Sequence, residues 1–481
     1  MKSLMKRILF AILYGAIGAL VAVVLVAVVH LQKRPDLKPW HTVHLDGEFS
    51  AVSPVSDLAG YLAIEEKLFR QLEQRVSDRL PPADQSPVNR YHRGSLTDPG
   101  RWNRNWNRTF ELKNAHPAAG ILLLHGMSDS PYSLRALGQC LHENGAWVLG
   151  LRLPGHGTIP SGLVRITWED LAAAVRLAMR HMRSQLGDKP IYMIGYSTGG
   201  ALAVQYALDQ MDGRGNLPAV DRIVLISPAI GVTPMAAMAV WQARLGRWLA
   251  IDKLSWNSIQ PEYNSYKYNS FAINAGVQVF RLTTAIQQRL KKANQNGELT
   301  RFPPVLTFQS VVDATVSAPA VITGLYRHLA NPDNELVLFD INRLAGIDSL
   351  VTRDPLARIL PLIQSGGKPY RVHLVTNQDA SSRRVAAITY ENGERVESAM
   401  PLAWHWPAGV HSLSHIALPF PEDDPLNGDA DTPVNPGIVL GKIVLLGERG
   451  VIDIPATEIL RLRWNPFYPY LEQRSMAFLD L

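Results

Sequence analysis

The chain has 481 residues, 47% hydrophobic and 19% charged, which fits a folded globular protein and excludes a disordered one. Its 48 Lys and Arg against 42 Asp and Glu leave a formal charge of +6, too mild for a dedicated nucleic-acid binder, and no Lys/Arg-rich run argues for one. The single cysteine, Cys140, excludes an intramolecular disulfide and a zinc cluster built on paired thiolates.

Ile8 to Val29 is a run of 22 residues without a charge. As an α-helix it would reach about 33 Å, enough for the ~30 Å hydrocarbon core of a bilayer. Lys2, Lys6 and Arg7 precede it and Lys33, Arg34 and Lys38 follow. With the α-amino group the N-terminal side leads by a single charge, which favours a cytoplasmic N-terminus and places the rest of the chain on the non-cytoplasmic side. A cleaved signal peptide is the rival, but its apolar region is about 7–15 residues with a small-x-small site. This run is longer and ends in Val-Val-His, so residues 1–34 read as an uncleaved membrane anchor.

Asp57 to Leu80 carries Leu58, Tyr61, Leu62, Ile64, Leu68, Leu72 and Val76 largely on one stripe, which predicts a helix that Pro81-Pro82 ends. Residues 83–115 are polar and turn-rich, and 35–117 reads as a segment packed on the main domain. From Ala118 short apolar runs recur at Gly120–Leu124, Ala146–Arg152, Ile191–Ile194, Arg222–Ile226, Val305–Phe308 and Glu335–Phe339. Helical patterns such as Thr167–Leu186 and Gly200–Asp209 lie between most of them. That alternation predicts an α/β fold, a parallel sheet covered on both faces.

Two stretches interrupt it. Gly231–Arg301 holds Met238, Trp241, Leu245, Trp248 and Leu249 at helical spacing and reads as a cap. It has nine Lys/Arg against three acids, interleaved with Trp241, Trp248, Trp256, Tyr263, Tyr266 and Tyr268. Such a surface suits anionic lipid headgroups, or equally a soluble cap with a solvated basic face. Asn342–Val410 reads as an inserted excursion with strands Tyr370–Thr376 and Arg384–Tyr390 and an Asn392-Gly393 turn signal. The tail adds an apolar run at Ile443–Leu446 and a partly helical Ile459–Leu481.

Gly195-Tyr196-Ser197-Thr198-Gly199 directly follows one predicted strand and opens a helix. In that strand–turn–helix context G-x-S-x-G marks Ser197 as a nucleophile held at the carboxyl edge of the sheet. A tetrahedral oxyanion needs two fixed N–H donors. Thr198 supplies one, as the residue after the nucleophile, and Met127, in Leu122-Leu123-Leu124-His125-Gly126-Met127, is the candidate for the other. His125 reads as a turn histidine. Leu153-Pro154-Gly155-His156-Gly157 follows the next strand.

The set LLLHGMSDSPYS, LRLPGHG and GYSTGG, in this order and spacing, resembles the α/β-hydrolase superfamily, in particular its monoacylglycerol lipase/lysophospholipase-like and serine aminopeptidase-like branch. The resemblance covers 118–230, 303–341 and 411–427, and it makes His156 structural. It implies the chain order Ser, then Asp or Glu, then His. Asp313, in FQSVVDATVSAPAV, resembles the acid loop, with Asp340 the second candidate. His415, in HSLSHIALPF, resembles the histidine loop, with His411 the alternative. The sequence departs from the pattern in the roughly seventy residues between last sheet strand and histidine loop.

The expected organisation is an anchor at 1–34, a packing segment at 35–117, an α/β-hydrolase core at 118–230 and 302–481 with an insertion at 342–410, and a cap at 231–301. The expected activity is hydrolysis of carboxylic esters of hydrophobic acyl chains, in a membrane setting, with no cofactor and no metal. Two rivals stay open: a peptidase or amidase using the same residues, and a catalytically silent hydrolase fold serving as a membrane scaffold.

Overall fold

The structure, a computed structural model, describes residues 2–231, 251–345, 351, 353–365, 367, 369–396, 399–429, 437–442, 457 and 460–481. The helical spacing at Met238–Leu249 and the run Ile443–Leu446 lie outside these residues. Helix α1 spans Lys2–Lys33. Several of its side chains, those of residues 23–28 among them, are outside the described set. Among the described residues no helix is long and apolar enough to cross a membrane, so the spanning helix expected over Ile8–Val29 is not found there.

Helix α2 (Leu58–Arg75) follows, its N-terminus capped by Asp57 Oδ1 accepting from the Gly60 amide at 2.8 Å. Then come β1 (Phe110–Leu112), β2 (Gly120–Leu124), α3 (Arg135–Glu143), β3 (Trp147–Leu151), α4 (Trp168–Leu186), β4 (Ile191–Tyr196), α5 (Thr198–Met211) and β5 (Arg222–Ile226). The second half supplies α6 (Ile273–Gln295), β6 (Val305–Ser310), β7 (Glu335–Phe339), α7 (Leu356–Gln364), β8 (Arg371–Asn377), β9 (Arg384–Glu391), β10 (Glu394–Arg395), β11 (Met400–His405) and α8 (Tyr468–Leu479). The strands form one sheet in the order β1-β3-β2-β4-β5-β6-β7-β8-β9-β10, with β11 also on β9. From β3 to β8 every neighbour is parallel, and the two edges are antiparallel.

Strand alternation explains why both faces are covered. In β2, Leu122 and Leu124 join one core cluster with α4, α5 and α6, while Ile121 and Leu123 join the other with α3 and α8. The same division holds in β4, Met193 against Ile194, and in β7, Leu338 against Phe339. A parallel sheet buried on two faces is apolar at most positions, as these strands are. Helix α4 starts where the sequence places it. Thr167 Oγ1 accepts from the Asp170 amide, and Asp170 Oδ2 accepts from the Thr167 amide at 2.8 Å, a reciprocal cap.

The segment 35–117 is fastened to the core through a buried guanidinium. Arg152, at the end of β3 and fully buried, meets Glu48 at 2.9 Å and Glu65 at 3.3 Å. Segment 231–301 divides: residues 252–272 carry a short two-stranded ribbon, whereas α6 packs against α4 and α5 as part of the core layer. The excursion 342–410 is woven into the sheet, since β8 extends β7 in parallel and β9 returns antiparallel. The Asn392-Gly393 turn joins β9 to β10, with φ of 51° and 87°.

Candidate active site

Ser197 sits between β4 and α5 with φ 53° and ψ −115°, a left-handed conformation that is costly for a residue with a side chain. The backbone fixes it: the Ser197 amide donates to the Ile226 carbonyl at 2.9 Å, and the Ser197 carbonyl accepts from Ala229 at 2.9 Å. The flanking glycines are required by space. A Cβ on Gly195 would lie 2.5 Å from the Gly199 carbonyl carbon, and one on Gly199 would collide with the Leu124 carbonyl.

Thr198 is the first residue of α5, so its amide is one of the N-terminal N–H groups that have no partner inside the helix. Met127 lies in the loop after β2 and lines the same cavity as Ser197, Thr198 and His415. The next residue, Ser128, also has a positive φ, 63°. That loop is held by the Asp129 amide on the Gly126 carbonyl at 3.3 Å and by the Tyr268 amide on the Ser128 carbonyl at 2.7 Å.

His415 is buried, and its Nδ1 lies 2.8 Å from Asp313 Oδ2. Asp313 also accepts from the amides of Thr315 and Val316, each at 2.8 Å, and from Gln309 Nε2 at 3.1 Å. Burial works to raise its pKa. The His415 charge and hydrogen bond, together with those amides, outweigh burial and hold the carboxyl below its ordinary value. Asp340 is placed differently: it is wholly buried and occupied by Arg343, at 2.6 and 2.9 Å, and by Thr376 Oγ1 at 2.8 Å. His411 is exposed, and its carbonyl accepts from the Asn342 amide at 2.8 Å.

The histidine loop is positioned from several sides. Ser310 Oγ donates to the Leu413 carbonyl at 2.9 Å, and Tyr196 Oη donates to the His415 carbonyl at 3.3 Å. Ser414 Oγ donates to the Leu462 carbonyl, which brings the tail beside the loop.

The other two histidines near the site are locked. His125 Nδ1 is 2.8 Å from the Gly126 carbonyl, and its Nε2 accepts from the Leu153 amide at 3.0 Å. Burial pushes its pKa well below the ordinary value. His156 is buried with Nδ1 on the Pro154 carbonyl at 2.9 Å, and burial lowers its pKa to about 4. Both rings stay neutral at neutral pH and stiffen the two turns.

The cavity over Ser197 has a volume of about 350 Å³. Its walls include Ala229, Phe271, Val279 and Val316, and also Lys267, Arg461 and Arg463. The two arginines carry no motif, and only the fold brings the tail to the site. Lys267 is among the counted cap cations, yet nothing in its neighbourhood distinguishes it from the rest. A serine in a strained turn between β4 and α5 and a histidine bonded to a buried carboxylate meet at one cavity, an arrangement suited to a serine ester hydrolase.

Residues 115–342 match the family described as "Serine aminopeptidase, S33". The thermostable monoacylglycerol lipase of Bacillus sp. (strain H-257) is 25% identical over 218 residues, 45% of this chain and 79% of that protein. Among solved structures, the monoacylglycerol lipase of Paleococcus ferrophilus is 19% identical with a TM-score of 0.37, over 48% of this chain and 88% of that one. A soluble variant of Saccharomyces cerevisiae monoglyceride lipase is 16% identical with a TM-score of 0.37, over 48% and 81%. Residues 115–342, a little under half of the chain, are thus similar to α/β-hydrolases of the monoacylglycerol lipase-like kind.

Proposed function

We propose that the protein is a membrane-anchored esterase acting on hydrophobic acyl esters, with Ser197, His415 and Asp313 as its triad. The observation that carries the reading is the His415 Nδ1–Asp313 Oδ2 contact of 2.8 Å in a cavity that Ser197 also lines. Ser197 Oγ attacks the ester carbonyl while His415 Nε2 takes its proton. Asp313 holds the ring so that Nε2 faces the serine and stabilises the imidazolium. The Met127 and Thr198 amides receive the oxyanion, an interaction of about 3 kcal/mol per donor. The protonated imidazole then gives its proton to the leaving alcohol. Water, deprotonated by the same histidine, splits the acyl-enzyme and restores Ser197.

An aminopeptidase would need a carboxylate to hold a free amino terminus. None of the described residues lining the cavity is Asp or Glu, which favours an ester. The similarity to a Bacillus protein named as a monoacylglycerol lipase supports a monoacyl ester as the substrate type.

Membrane attachment is supported by α1, where Leu9, Phe10, Ile12, Leu13, Tyr14 and Ile17 are exposed apolar side chains without a core to join. Just beyond α1, Arg34 donates to the carbonyls of Lys253 at 2.9 Å and Trp256 at 2.7 Å, and Lys253 Nζ meets Asp36 at 2.8 Å. This ties the end of the anchor to the stretch that leads into Ser258 and Gln260 at the cavity. The single-charge lead N-terminal to the apolar run favours a catalytic domain on the non-cytoplasmic side.

Fluorophosphonate labelling and turnover of p-nitrophenyl butyrate test the chemistry. Ser197→Ala is expected to abolish both while the chain stays folded, and labelling at the wild-type rate would refute the assignment. Deleting residues 1–30 is expected to leave soluble-ester turnover intact and to lower turnover of liposome-embedded monooleoylglycerol. Equal lipid turnover with and without them would remove membrane delivery.

A further inference from the structure

The loop after β2 passes directly against the nucleophile. A Cβ on Gly126 would lie 3.2 Å from the Ser197 Cβ, so the backbone leading into Met127 and Ser128 is in contact with the elbow. Ser128 takes φ 63°, in the left-handed region that a residue with a side chain adopts at a cost. Such a conformation persists only where the surroundings hold it. Within the loop, the Asp129 amide reaches the Gly126 carbonyl at 3.3 Å, a long bond. Two further bonds come from a pair of consecutive residues far away in sequence. The Tyr268 amide donates to the Ser128 carbonyl at 2.7 Å, and Lys267 Nζ donates to Ser128 Oγ at 3.3 Å.

The stretch that carries Lys267 is itself stiffly held. Glu262 is buried and accepts from the amides of Asn269 at 3.0 Å and Ser270 at 2.8 Å, which closes 262–270 on itself. Arg90, buried in the packing segment, braces that loop. Its amide donates to the Glu262 carbonyl at 2.9 Å, its Nη1 to the Lys267 carbonyl at 3.3 Å and its Nη2 to Asn107 Oδ1 at 3.0 Å. Tyr268 Oη donates to the Gly155 carbonyl at 3.3 Å. The half-buried Lys267 therefore extends from a fixed backbone, and it lines the cavity over Ser197. Its charge also reaches the residue after Ser128: burial raises the Asp129 carboxyl to about 6, and Lys267 acts against that rise.

We propose that Lys267 is a positioning residue for the oxyanion site: together with the Tyr268 amide it holds Ser128 from the cap side, and so fixes the direction of the adjoining Met127 amide. This rests on the esterase reading above and adds a residue to that same site. An oxyanion donor is effective only when aimed at the place the oxygen reaches in the transition state. A misplacement of about 1 Å costs on the order of a hundredfold in rate. Because Lys267 acts through Ser128, its loss is felt in the transition state and not in ground-state binding, and it falls on kcat with KM unchanged.

The test uses the full chain in nonionic detergent with p-nitrophenyl butyrate. Lys267→Met and Ser128→Ala are each expected to lower kcat by about tenfold to a hundredfold, with KM within about twofold. The double variant is expected to be no worse than the more damaging single one, since both remove the same contact. Lys267→Arg, which keeps a donor and a charge, is expected to recover most of the loss. Additive losses, Ser128→Ala at the wild-type kcat, or a Lys267→Met loss confined to KM would each overturn the inference. Hydrogen exchange reads the same contact without turnover. The Asp129 and Tyr268 amides are expected to exchange about tenfold faster in Lys267→Met than in wild type, with the amides of β2 unchanged. Equal exchange in the two proteins overturns the inference too. Faster exchange in a protein whose wild type neither labels with fluorophosphonate nor turns over ester would leave the support of the loop standing and refute the esterase reading.

Discussion

Asp129 offers a direct measurement of how the site is charged. Its carboxyl is buried behind the Met127 loop, accepts from the Ser130 amide at 2.9 Å, and has its pKa raised from 3.8 to about 6, chiefly by burial. In the unfolded chain it ionises near pH 4, whereas in the folded protein it keeps its proton until about pH 6. Between these values the native state binds more protons than the unfolded one, so stability falls as pH rises and levels off above the folded pKa. At 1.36 kcal/mol per unit, a rise of roughly two units corresponds to about 3 kcal/mol. Asp129→Asn preserves the oxygen that accepts from Ser130 and removes the titration. The unfolded carboxyl is already about half ionised at pH 4, so the variant should gain about 2.4 kcal/mol relative to wild type on going from pH 4 to pH 8, read from urea midpoints and slopes on the full chain in detergent. A difference between the two proteins that stays constant from pH 4 to pH 8 would refute the assignment of a buried, reluctant carboxylate.

The two acids near the histidine loop should separate by assay. Asp313→Asn is expected to lower kcat on a soluble ester by about 10⁴ with little change in melting temperature, because His415 loses its orienting partner. Asp340→Asn should leave kcat within a few-fold and cost about 1–3 kcal/mol, since Arg343 and Thr376 lose a buried anion. The two histidines divide likewise: His415→Ala should remove orders of magnitude of turnover, and the exposed His411→Ala less than about threefold. A larger loss for His411→Ala would reassign the base.

Local signals made the centre of the fold legible. β2, β3, β4, β5, β6 and β7 are short, mainly apolar runs because a doubly covered parallel strand has no solvent face, and that needs no knowledge of tertiary contacts. The elbow at Ser197 was equally visible, since glycines at 195 and 199 reflect contacts within a dozen residues or against the adjacent strand end. The strands of 342–410 were visible too, but not their destination. Nothing in Arg371–Asn377 says that its partner is Glu335–Phe339, because register is a long-range fact. Position in the sequence puts α6 in the cap at 231–301, whereas its buried Leu282, Ile286 and Leu290 pack on the core. Arg461 and Arg463 were invisible for the same reason: a hydroxyl at Ser414 brings them to the site, and a sequence does not display that bond.

The strands beyond β7 change what the sheet presents to other molecules. Were the sheet to stop at β7, its free edge would be the fully buried Glu-Leu-Val-Leu-Phe strand, a long apolar row of unpaired N–H and C=O groups open to another chain. With β8 and β9 added, the border passes to β10, two exposed residues, and to β11. Strand β11 contains Pro401, which has no N–H to offer, and pairs with β9 through a shifted register at Arg384 and Ala386. Insertion of these residues therefore protects against edge-to-edge self-association. Trimming the excursion to give a smaller enzyme would be expected to cost solubility before it costs catalysis.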